Sequence, residues 1–342
     1  MIRPCLGLAF YLFLVYLQPE WNWRWTTVAD IQYQKYVVAC ILIGWIISGL
    51  KQYSFRPWFT WSFLSLLSFI ALAAVSNSFS ERPVVSSVYF DVLWKTAVVA
   101  LLIAKLPTNS NEVLWLTGAM LLGAEFNAFK INEDYFLTGI ARFARSGWGL
   151  KGDNNVYTLF TLPFLVCSCA LIFVLKNKLS KTVAVIAAVL MVHQVMLLES
   201  RGGFLGAILS VGILICFVRK TTWTIVALAV GAVVVGILAG PPVIEEFSSI
   251  FESEEQRDSS AASRLTLWKA ASKIALDHPI LGVGPNLGQF YIPRYVESYR
   301  DLETKHPHNF FLEVASGCGI PALLFLVFFM TVPVFVVLSR RR

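Results

Sequence analysis

Residues 183–218 read VAVIAAVLMVHQVMLLESRGGFLGAILSVGILICFV, two apolar runs separated by the five residues ESRGG. Each run approaches the length of about 17–25 residues that crosses a bilayer as a helix. Glu199 and Arg201 are the only residues of the stretch with a formal charge. The stretch therefore predicts two consecutive transmembrane helices joined by a tight turn, so the chain is expected to be a polytopic membrane protein.

The composition of the 342 residues agrees, since 57% are hydrophobic, 14% are charged and the mean hydropathy is +0.66. Soluble domains have about 45–50% apolar and about 25% charged residues, so a water-soluble enzyme and a disordered chain are excluded. The formal charge of +7 does not indicate nucleic acid, because the basic residues form short clusters between apolar runs. The six cysteines lack metal-ligand spacing, and no metal or other cofactor is expected.

Ten apolar runs are visible along the chain, and we predict a transmembrane helix at each. They cover residues 6–17, 36–50, 58–75, 90–104, 113–129, 156–175, 183–198, 204–218, 222–239 and 320–338. The fold class expected is an all-α polytopic membrane protein of about ten spans, in a single membrane domain over residues 1–342.

If consecutive spans cross the bilayer in alternating directions, most basic clusters lie on one side of the membrane. The positive-inside rule predicts that this side is cytoplasmic. The clusters are Arg3, Lys51 with Arg56, Lys105, Lys176 with Lys178 and Lys181, Arg219 with Lys220, and residues 340–342. Both termini are then cytoplasmic. Residues 18–35, 130–155 and 240–307 form external loops, and the last of these lies between the final two spans.

Arg201 in the ESRGG turn is expected at the outer membrane boundary. One interpretation is structural: the glycines allow close helix packing and the arginine reaches lipid headgroups. The other is functional, because a guanidinium stays charged when partly desolvated and its planar donors suit a phosphate. The pattern alone leaves both interpretations open.

The external sequence SSAASRLTLWKAASKIAL at residues 259–276 predicts an amphipathic helix at the membrane surface. Its broad apolar stripe consists of Leu267, Ala271 and Ile274, with Leu265, Trp268 and Ala275 nearby. Lys269 and Lys273 are expected on the polar side of the helix. We expect the helix to end at the His278-Pro279 step. Arg264 falls in the first turn, where a cation opposes the helix dipole, and an anionic partner is favoured over an ordinary solvated arginine.

Two further external motifs follow this helix. The compact sequence HPILGVGPN at residues 278–286 predicts a structural connector, since its glycines permit and its prolines restrict the backbone. His308 is expected at the outer end of a helix, with Asn309 and Glu313 on the following turns. A neutral imidazole there is a candidate base for a sugar hydroxyl, and a simple helix cap is the alternative.

Four motifs occur in order on the predicted outer side: SRGG at 200–203, SRLTLW at 263–268, HPILGVG at 278–284 and HNFFLE at 308–313. In this order and spacing they resemble the O-antigen ligase superfamily. The superfamily includes lipopolysaccharide O-antigen ligases, oligosaccharide polymerases and protein O-oligosaccharyltransferases. The sequence GDNN at residues 152–155 also resembles its asparagine-bearing motif, and the resemblance covers residues 150–338.

The resemblance implies a GT-C-like, metal-independent glycosyltransferase in the inner (cytoplasmic) membrane of a bacterium. Such an enzyme moves a glycan from an undecaprenyl-diphosphate carrier to an acceptor hydroxyl of lipid A-core, a glycan or a protein on the periplasmic face. The catalytic residues implied are Arg201 and Arg264, which match diphosphate-contacting arginines, and His308, which matches the histidine base. The substrate-binding residues implied are Asn154, Asn155, Trp268 and Asn309.

The family pattern commonly has about a dozen spans, whereas this sequence ends at Arg342, 34 residues after His308. One or two terminal helices are therefore expected to be absent from it. An oligosaccharide polymerase and a protein O-oligosaccharyltransferase remain open beside a ligase, because no residue identifies the acceptor.

Two other classes of function remain open. A polysaccharide or lipid transporter needs ionisable groups near the bilayer midplane, for which the candidates are Asp91, Lys95, Glu125 and His193. Lys95 follows Asp91 by four residues and is expected to pair with it, while His193 is interpreted as an internally hydrogen-bonded packing residue. A non-catalytic scaffold for polysaccharide assembly is the third class. The external cluster of motifs favours an enzyme.

Overall fold

The computed structural model describes residues 4–26, 31, 33–47, 57–149, 152–218, 221 and 259–339, with four single positions between 226 and 233. The predicted span at 222–239 lies largely outside the described residues. So do several basic residues used for the topology, namely Arg3, Lys51, Arg56, Arg219, Lys220 and residues 340–342. The orientation that they imply stays a prediction.

The described residues form helices joined by turns. Numbered along the chain, the helices are α1 (Pro4–Leu17), α2 (Pro19–Asn22), α3 (Tyr33–Ile47), α4 (Pro57–Ser78), α5 (Pro83–Lys105), α6 (Ser110–Thr138), α7 (Phe143–Ser146), α8 (Asn154–Val174), α9 (Lys178–Leu197), α10 (Arg201–Phe217), α11 (Ser259–Asp277), α12 (Gly288–Tyr295), α13 (Phe310–Cys318) and α14 (Ile320–Ser339). The all-helical class predicted from the sequence is thus confirmed for this part of the chain.

The helices group into two compact units that alternate along the sequence. Unit 1 contains Met1–Leu50 and Pro107–Glu252, and unit 2 contains Lys51–Leu106 and Ser253–Arg342. Each unit is described by itself below. The expectation of a single membrane domain stays a prediction.

Unit 1 is built on α6, α8 and α9, with α1 packed on α6 and α10 packed on α8. Its apolar core includes Ala124 of α6, Leu165 of α8 and Met191 of α9. A polar contact fixes α1: the amide Nδ2 of Asn127 donates to the carbonyl oxygen of Tyr16 at 2.6 Å. Such internal pairing satisfies polar groups that lipid cannot hydrate.

Unit 2 has a pair of long apolar helices, α4 and α14, which pack against each other, with α5 on α4. The helices α11, α12 and α13 form a second layer of contacts around a separate core. Between the two layers, the hydroxyl of Ser76 near the end of α4 donates to the carbonyl oxygen of Gly317 in α13 at 2.9 Å. The layer of α11, α12 and α13 is therefore anchored near the end of α4, a candidate membrane span.

Among the described residues, five helices are long and apolar enough to cross a membrane, and α3 and α10 are shorter apolar helices. The five candidate spans are Trp61–Ser78, Pro83–Lys105, Asn154–Val174, Lys178–Leu197 and Ile320–Ser339. In every predicted apolar run other than 222–239, the described residues fall almost entirely on a helix. The chain is a multi-pass membrane protein, and the count of ten spans and the GT-C-like arrangement stay predictions.

Helix α11 confirms the predicted amphipathic helix and ends at Asp277, before the His278-Pro279 step. Two details differ from the sequence-based expectation. The helix begins at Ser259, so Arg264 lies in its second turn rather than its first. The apolar stripe is buried inside unit 2, where Leu267, Ala271 and Ile274 are no more than 2% exposed.

Candidate active site

In unit 1, the turn between α9 and α10 presents Arg201 as the first residue of α10. Ser200 caps this helix, because its hydroxyl oxygen accepts a hydrogen bond from the backbone N–H of Gly203 at 3.2 Å. Arg201 is half-buried. A cation at a helix N-terminus is opposed by the helix dipole, so helix stability does not explain an arginine here.

Gly203 brings α10 against α8. A Cβ atom at this position would lie 2.2 Å from Cγ2 of Thr158, far inside van der Waals contact. Gly202 differs, since nothing lies within 4 Å of a Cβ built there. The structural interpretation of the glycines therefore holds for Gly203, and the tight contact fixes where the start of α10 lies on α8.

Two asparagines at the start of α8 hold the same turn. Nδ2 of Asn154 donates to the carbonyl oxygen of Leu198 at 2.9 Å. The hydroxyl of Ser200 donates to Oδ1 of Asn155 at 2.7 Å. The structure thus brings Asn154 and Asn155, predicted from a separate motif, to the turn that carries Arg201.

In unit 2, Trp268 links Arg264 to the segment before His308. Arg264 is exposed on α11, and Trp268 lies one turn further along the helix. The indole Nε1–H of Trp268 donates to the carbonyl oxygen of Pro307 at 2.9 Å. Helices α11 and α13 pack against each other, so the motifs at 263–268 and 308–313 meet at one place.

His308 occupies the left-handed region of backbone space, with φ of 49°. Residues other than glycine seldom adopt it, although histidine tolerates it better than bulkier or β-branched side chains. The next residue, Asn309, caps α13: its Oδ1 accepts from the backbone N–H groups of Phe311 and Leu312 at 3.1 and 3.2 Å. Asn309 therefore performs the capping role that was one alternative for His308, and the imidazole is exposed just outside the helix.

The two candidate helix starts share one local geometry. Glu199 has φ of 48° and directly precedes the capping residue Ser200, as His308 precedes the capping residue Asn309. Unusual backbone conformations of this kind cluster at functional sites, where the surrounding structure enforces them. Gln18 at the start of α2 has the same φ of 49°, so the conformation alone does not assign a function to either turn.

The HPILGVG segment is a structural connector, as predicted. The backbone N–H groups of Val283 and Gly284 donate to the carbonyl oxygens of Ser316 and Gly317 at 2.9 and 2.8 Å. Gly282 has φ of 64°, and a Cβ there would lie 2.4 Å from the carbonyl carbon of Gly317. These contacts require glycine and lock the connector onto the end of α13.

Sequence reasoning missed the contribution of α12. The carbonyl oxygen of Gln289 accepts from the backbone N–H of Lys305 at 2.9 Å, which fixes the chain as it approaches His308. Its side chain is 3% exposed and donates to the carbonyl oxygen of Asn286 and the hydroxyl of Tyr89. The run GQFYIPRY has no motif character, and the sequence analysis assigned it no structure or role.

A charged cluster joins α12 to the turn between α4 and α5. The Tyr291 hydroxyl donates a hydrogen bond to Glu81, and the positive charge of Arg294 lies beside it. Both interactions hold the pKa of Glu81 below its ordinary value. Burial and the hydrogen bond to Glu81 raise the pKa of Tyr291 to about 12. Arg294 lies 3.4 Å from the Glu81 carboxylate and 4.3 Å from the Tyr291 ring centroid. The cluster ties α12 to a turn at the end of a membrane span.

The ionisable groups considered for a transporter have partners within their own units. Asp91 pairs with Lys95 on α5, as predicted. His193 is buried and hydrogen-bonds to Asn132, which confirms its interpretation as a packing residue. Oε1 of Glu125 accepts from the Ser168 hydroxyl at 3.1 Å. Each group therefore has a local partner, although the other carboxylate oxygen of Glu125, Oε2, is buried without a hydrogen-bond partner among the described residues.

Residues 186–327 match the protein family described as O-antigen ligase, which confirms the resemblance to this superfamily. The match includes Arg201, Arg264 and His308, whereas Asn154 and Asn155 lie outside it. No curated protein and no solved structure matches the chain.

Proposed function

We propose that this multi-pass membrane protein, which carries an O-antigen ligase domain at residues 186–327, transfers a glycan from an undecaprenyl-diphosphate carrier to an acceptor hydroxyl at the periplasmic face. The observation that supports this most directly is the Trp268–Pro307 hydrogen bond. It joins the helix bearing a permanent cation to the segment bearing an exposed imidazole, and glycosyl transfer from a diphosphate needs both groups.

The arginines are proposed to stabilise the diphosphate. As the glycan departs, negative charge accumulates on the leaving oxygen, and fixed cations positioned for that charge lower the barrier. A guanidinium offers a planar set of donors that matches phosphate oxygens. Arg264 is exposed and Arg201 is half-buried, so both side chains have access to a ligand. Each arginine is proposed to contact diphosphate oxygens.

His308 is proposed as the general base. The acceptor hydroxyl oxygen forms a bond to the anomeric carbon, while the bond between that carbon and the diphosphate oxygen breaks and its electron pair leaves with the diphosphate. The hydroxyl proton passes to a ring nitrogen of His308. An imidazole is suited to this step because its ordinary pKa lies near neutrality.

The remaining predicted site residues are proposed mainly to position these three groups. Trp268 and Asn309 fix the backbone on either side of His308. Asn154 and Asn155 hold the turn before Arg201. Asn155 is exposed, and we expect its amide also to contact the glycan or the carrier.

The decisive experiment is transfer by purified protein in lipid nanodiscs, with a synthetic undecaprenyl-diphosphate oligosaccharide as donor. The acceptor panel contains lipid A-core, a free oligosaccharide and a serine-containing peptide, and products are identified by mass spectrometry. Transfer to one acceptor distinguishes a ligase, a polymerase and a protein oligosaccharyltransferase. Donor binding without turnover on any acceptor would contradict the proposal and favour a scaffold.

A chelator separates the proposed electrostatics from metal catalysis. We expect transfer to survive EDTA, because the arginines supply the positive charge in this scheme. Activity that is lost with EDTA and restored by magnesium or manganese would contradict the roles of Arg201 and Arg264.

The periplasmic assignment requires both termini in the cytoplasm and residues 240–307 outside, in the inner membrane of a bacterium. Alkaline phosphatase and fluorescent reporters fused after Arg342, or inserted within 248–260, report the side directly. An external carboxy terminus would contradict the proposed face of the reaction.

A further inference from the structure

Helix α11 has an apolar face that the protein core does not use. The stripe of Leu267, Ala271 and Ile274 is buried against α12 and the connector. On the other side of the helix, Leu265 is 58% exposed and Leu276 is 69% exposed. These two leucines are eleven residues apart and so lie on one helical face.

The same face carries two exposed lysines, Lys269 and Lys273. Asp277 at the end of the helix accepts a hydrogen bond from the Tyr295 hydroxyl at 2.7 Å, so its carboxylate is engaged by α12. Long aliphatic side chains beside lysines are typical of helices at a membrane interface, where the stems lie in the apolar layer and the ammonium groups reach phosphates.

The end of this face lies at the level where two membrane helices end. The backbone N–H of Ile320, the first residue of the candidate span α14, donates to the carbonyl oxygen of Pro279 at 2.9 Å. Ser76, near the end of α4, is bonded to Gly317. Ile280, next to Pro279, is 68% exposed, and Phe79 just after α4 is 77% exposed. These side chains therefore lie at the membrane boundary.

We propose that the outer face of α11, formed by Leu265, Lys269, Lys273 and Leu276, docks together with Ile280 just after the helix on the anionic lipid surface of the membrane. The aliphatic side chains enter the headgroup layer, and the two ammonium groups bind lipid phosphates. The occupant is lipid rather than a protein, because the face adjoins the ends of spans and its charge complements anionic headgroups.

This docking has a consequence that rests on the proposed function. Arg264 and Trp268 lie on an adjacent side of the same helix, so anchoring α11 in the headgroup layer holds Arg264 at the height of a membrane-carried diphosphate. The surface contact would then set the depth at which the donor is bound.

Spin labelling tests the contact without an activity measurement. Labels are attached at Leu276→Cys, Ile280→Cys and, as the water-exposed control, Glu297→Cys, in a background where Cys40, Cys167, Cys169 and Cys216 are alanine. Power saturation in nanodiscs compares collision with oxygen and with a water-soluble nickel chelate. We expect oxygen to dominate at 276 and 280 and nickel at 297. Nickel accessibility at 276 and 280 equal to that at 297 would overturn the proposal, leaving the face to water or a protein partner.

The lysines are tested by lipid composition. With the label at 276, replacing phosphatidylcholine by phosphatidylglycerol should lower nickel accessibility by about twofold or more. Lys269→Gln with Lys273→Gln should abolish that change, whereas Lys178→Gln with Lys181→Gln, exposed lysines of α9, should retain it. A response that persists in the first double variant would contradict the assigned phosphate contacts. Because no step involves turnover, these results stand or fall independently of the proposed enzyme activity.

Discussion

Trp268 and Pro307 are 39 residues apart in sequence, and the indole Nε1–H of the first donates to the carbonyl oxygen of the second at 2.9 Å. Pro307 is buried and precedes the exposed His308. The bond fixes the backbone one residue before the proposed base, from a side chain one turn along α11 from Arg264. It therefore couples the positions of the proposed cation and base.

Trp268→Phe should lower transfer by about fivefold, because it removes one hydrogen bond, worth about 1 kcal/mol, while keeping most of the ring. Donor binding and the thermal unfolding temperature should change little. Trp94→Phe is the matched control, since its Nε1–H also donates, at 3.1 Å to Asp91 on α5. Equal losses in both variants would contradict a specific role of the Trp268 contact.

Arg264→Lys should lose most of the activity although the positive charge remains. An ammonium cannot form the paired, planar contacts that a guanidinium makes with phosphate oxygens. The loss should be shared by donor affinity and turnover, measured by titration with the carrier-linked glycan and by product formation. Arg300→Lys, at an exposed arginine paired with Glu297, is the control. Full activity of Arg264→Lys would rule out the forked contact.

His308→Asn isolates the chemistry of His308 from its backbone geometry. Asparagine tolerates the left-handed conformation found at this position, but its amide cannot accept a proton at neutral pH. We expect transfer to fall by about 10²–10⁴-fold with donor binding nearly unchanged. His306→Asn changes a neighbouring exposed histidine whose ring lies 6.2 Å from that of His308, and it should keep normal activity. A His308→Asn variant that transfers normally would exclude the proposed base.

The helices and the candidate motifs were predictable because their signals are local. Apolar runs define the spans, and His278-Pro279 ends α11 where it was expected. Within the stripe predicted on α11, Leu267, Ala271 and Ile274 are buried, whereas Leu265 is exposed. The residues that cover the buried part were not predicted. Periodicity shows which side chains share a face, whereas whether lipid or protein covers that face depends on residues far away, here Val283, Leu287 and Ile292.

The supporting contacts were not predictable for a similar reason. Asn309 and Asn155 were predicted as substrate-binding residues from the family resemblance. Their bonds to the backbone and to Ser200 depend on the three-dimensional arrangement of the turns. Gln289 acts through its backbone carbonyl, which carries no sequence signature.

Acidification should weaken unit 2 through Glu81. Its pKa is lowered by the Tyr291 hydrogen bond and by Arg294, so the ionised carboxylate stabilises the fold at neutral pH. This stabilising contribution is lost as the pH falls below about 5, first past the ordinary pKa of a glutamate and then past the lowered pKa of Glu81. Glu81→Gln should therefore flatten the fall in unfolding temperature between neutral and acid pH. Glu297→Gln, which alters an exposed surface pair, should leave the pH dependence as it is, and an unchanged profile in Glu81→Gln would contradict the assignment.

Gly203→Ala tests whether the position of Arg201 depends on the close contact between α10 and α8. The added methyl group would lie 2.2 Å from Cγ2 of Thr158, so α10 must shift, at a cost of about 1–3 kcal/mol. We expect a lower unfolding temperature and weaker donor binding, because the first residue of α10 moves with the helix.

Gly202→Ala adds the same group where nothing lies within 4 Å, and it should keep stability and binding. Thr158→Ser removes Cγ2 but keeps the hydroxyl that donates to the carbonyl oxygen of Asn154 at 2.7 Å, so adding it to Gly203→Ala should partly restore both properties. If Gly203→Ala lowers stability but leaves donor affinity intact, the packing of α10 does not set the position of Arg201, and its role in binding the diphosphate loses its structural support.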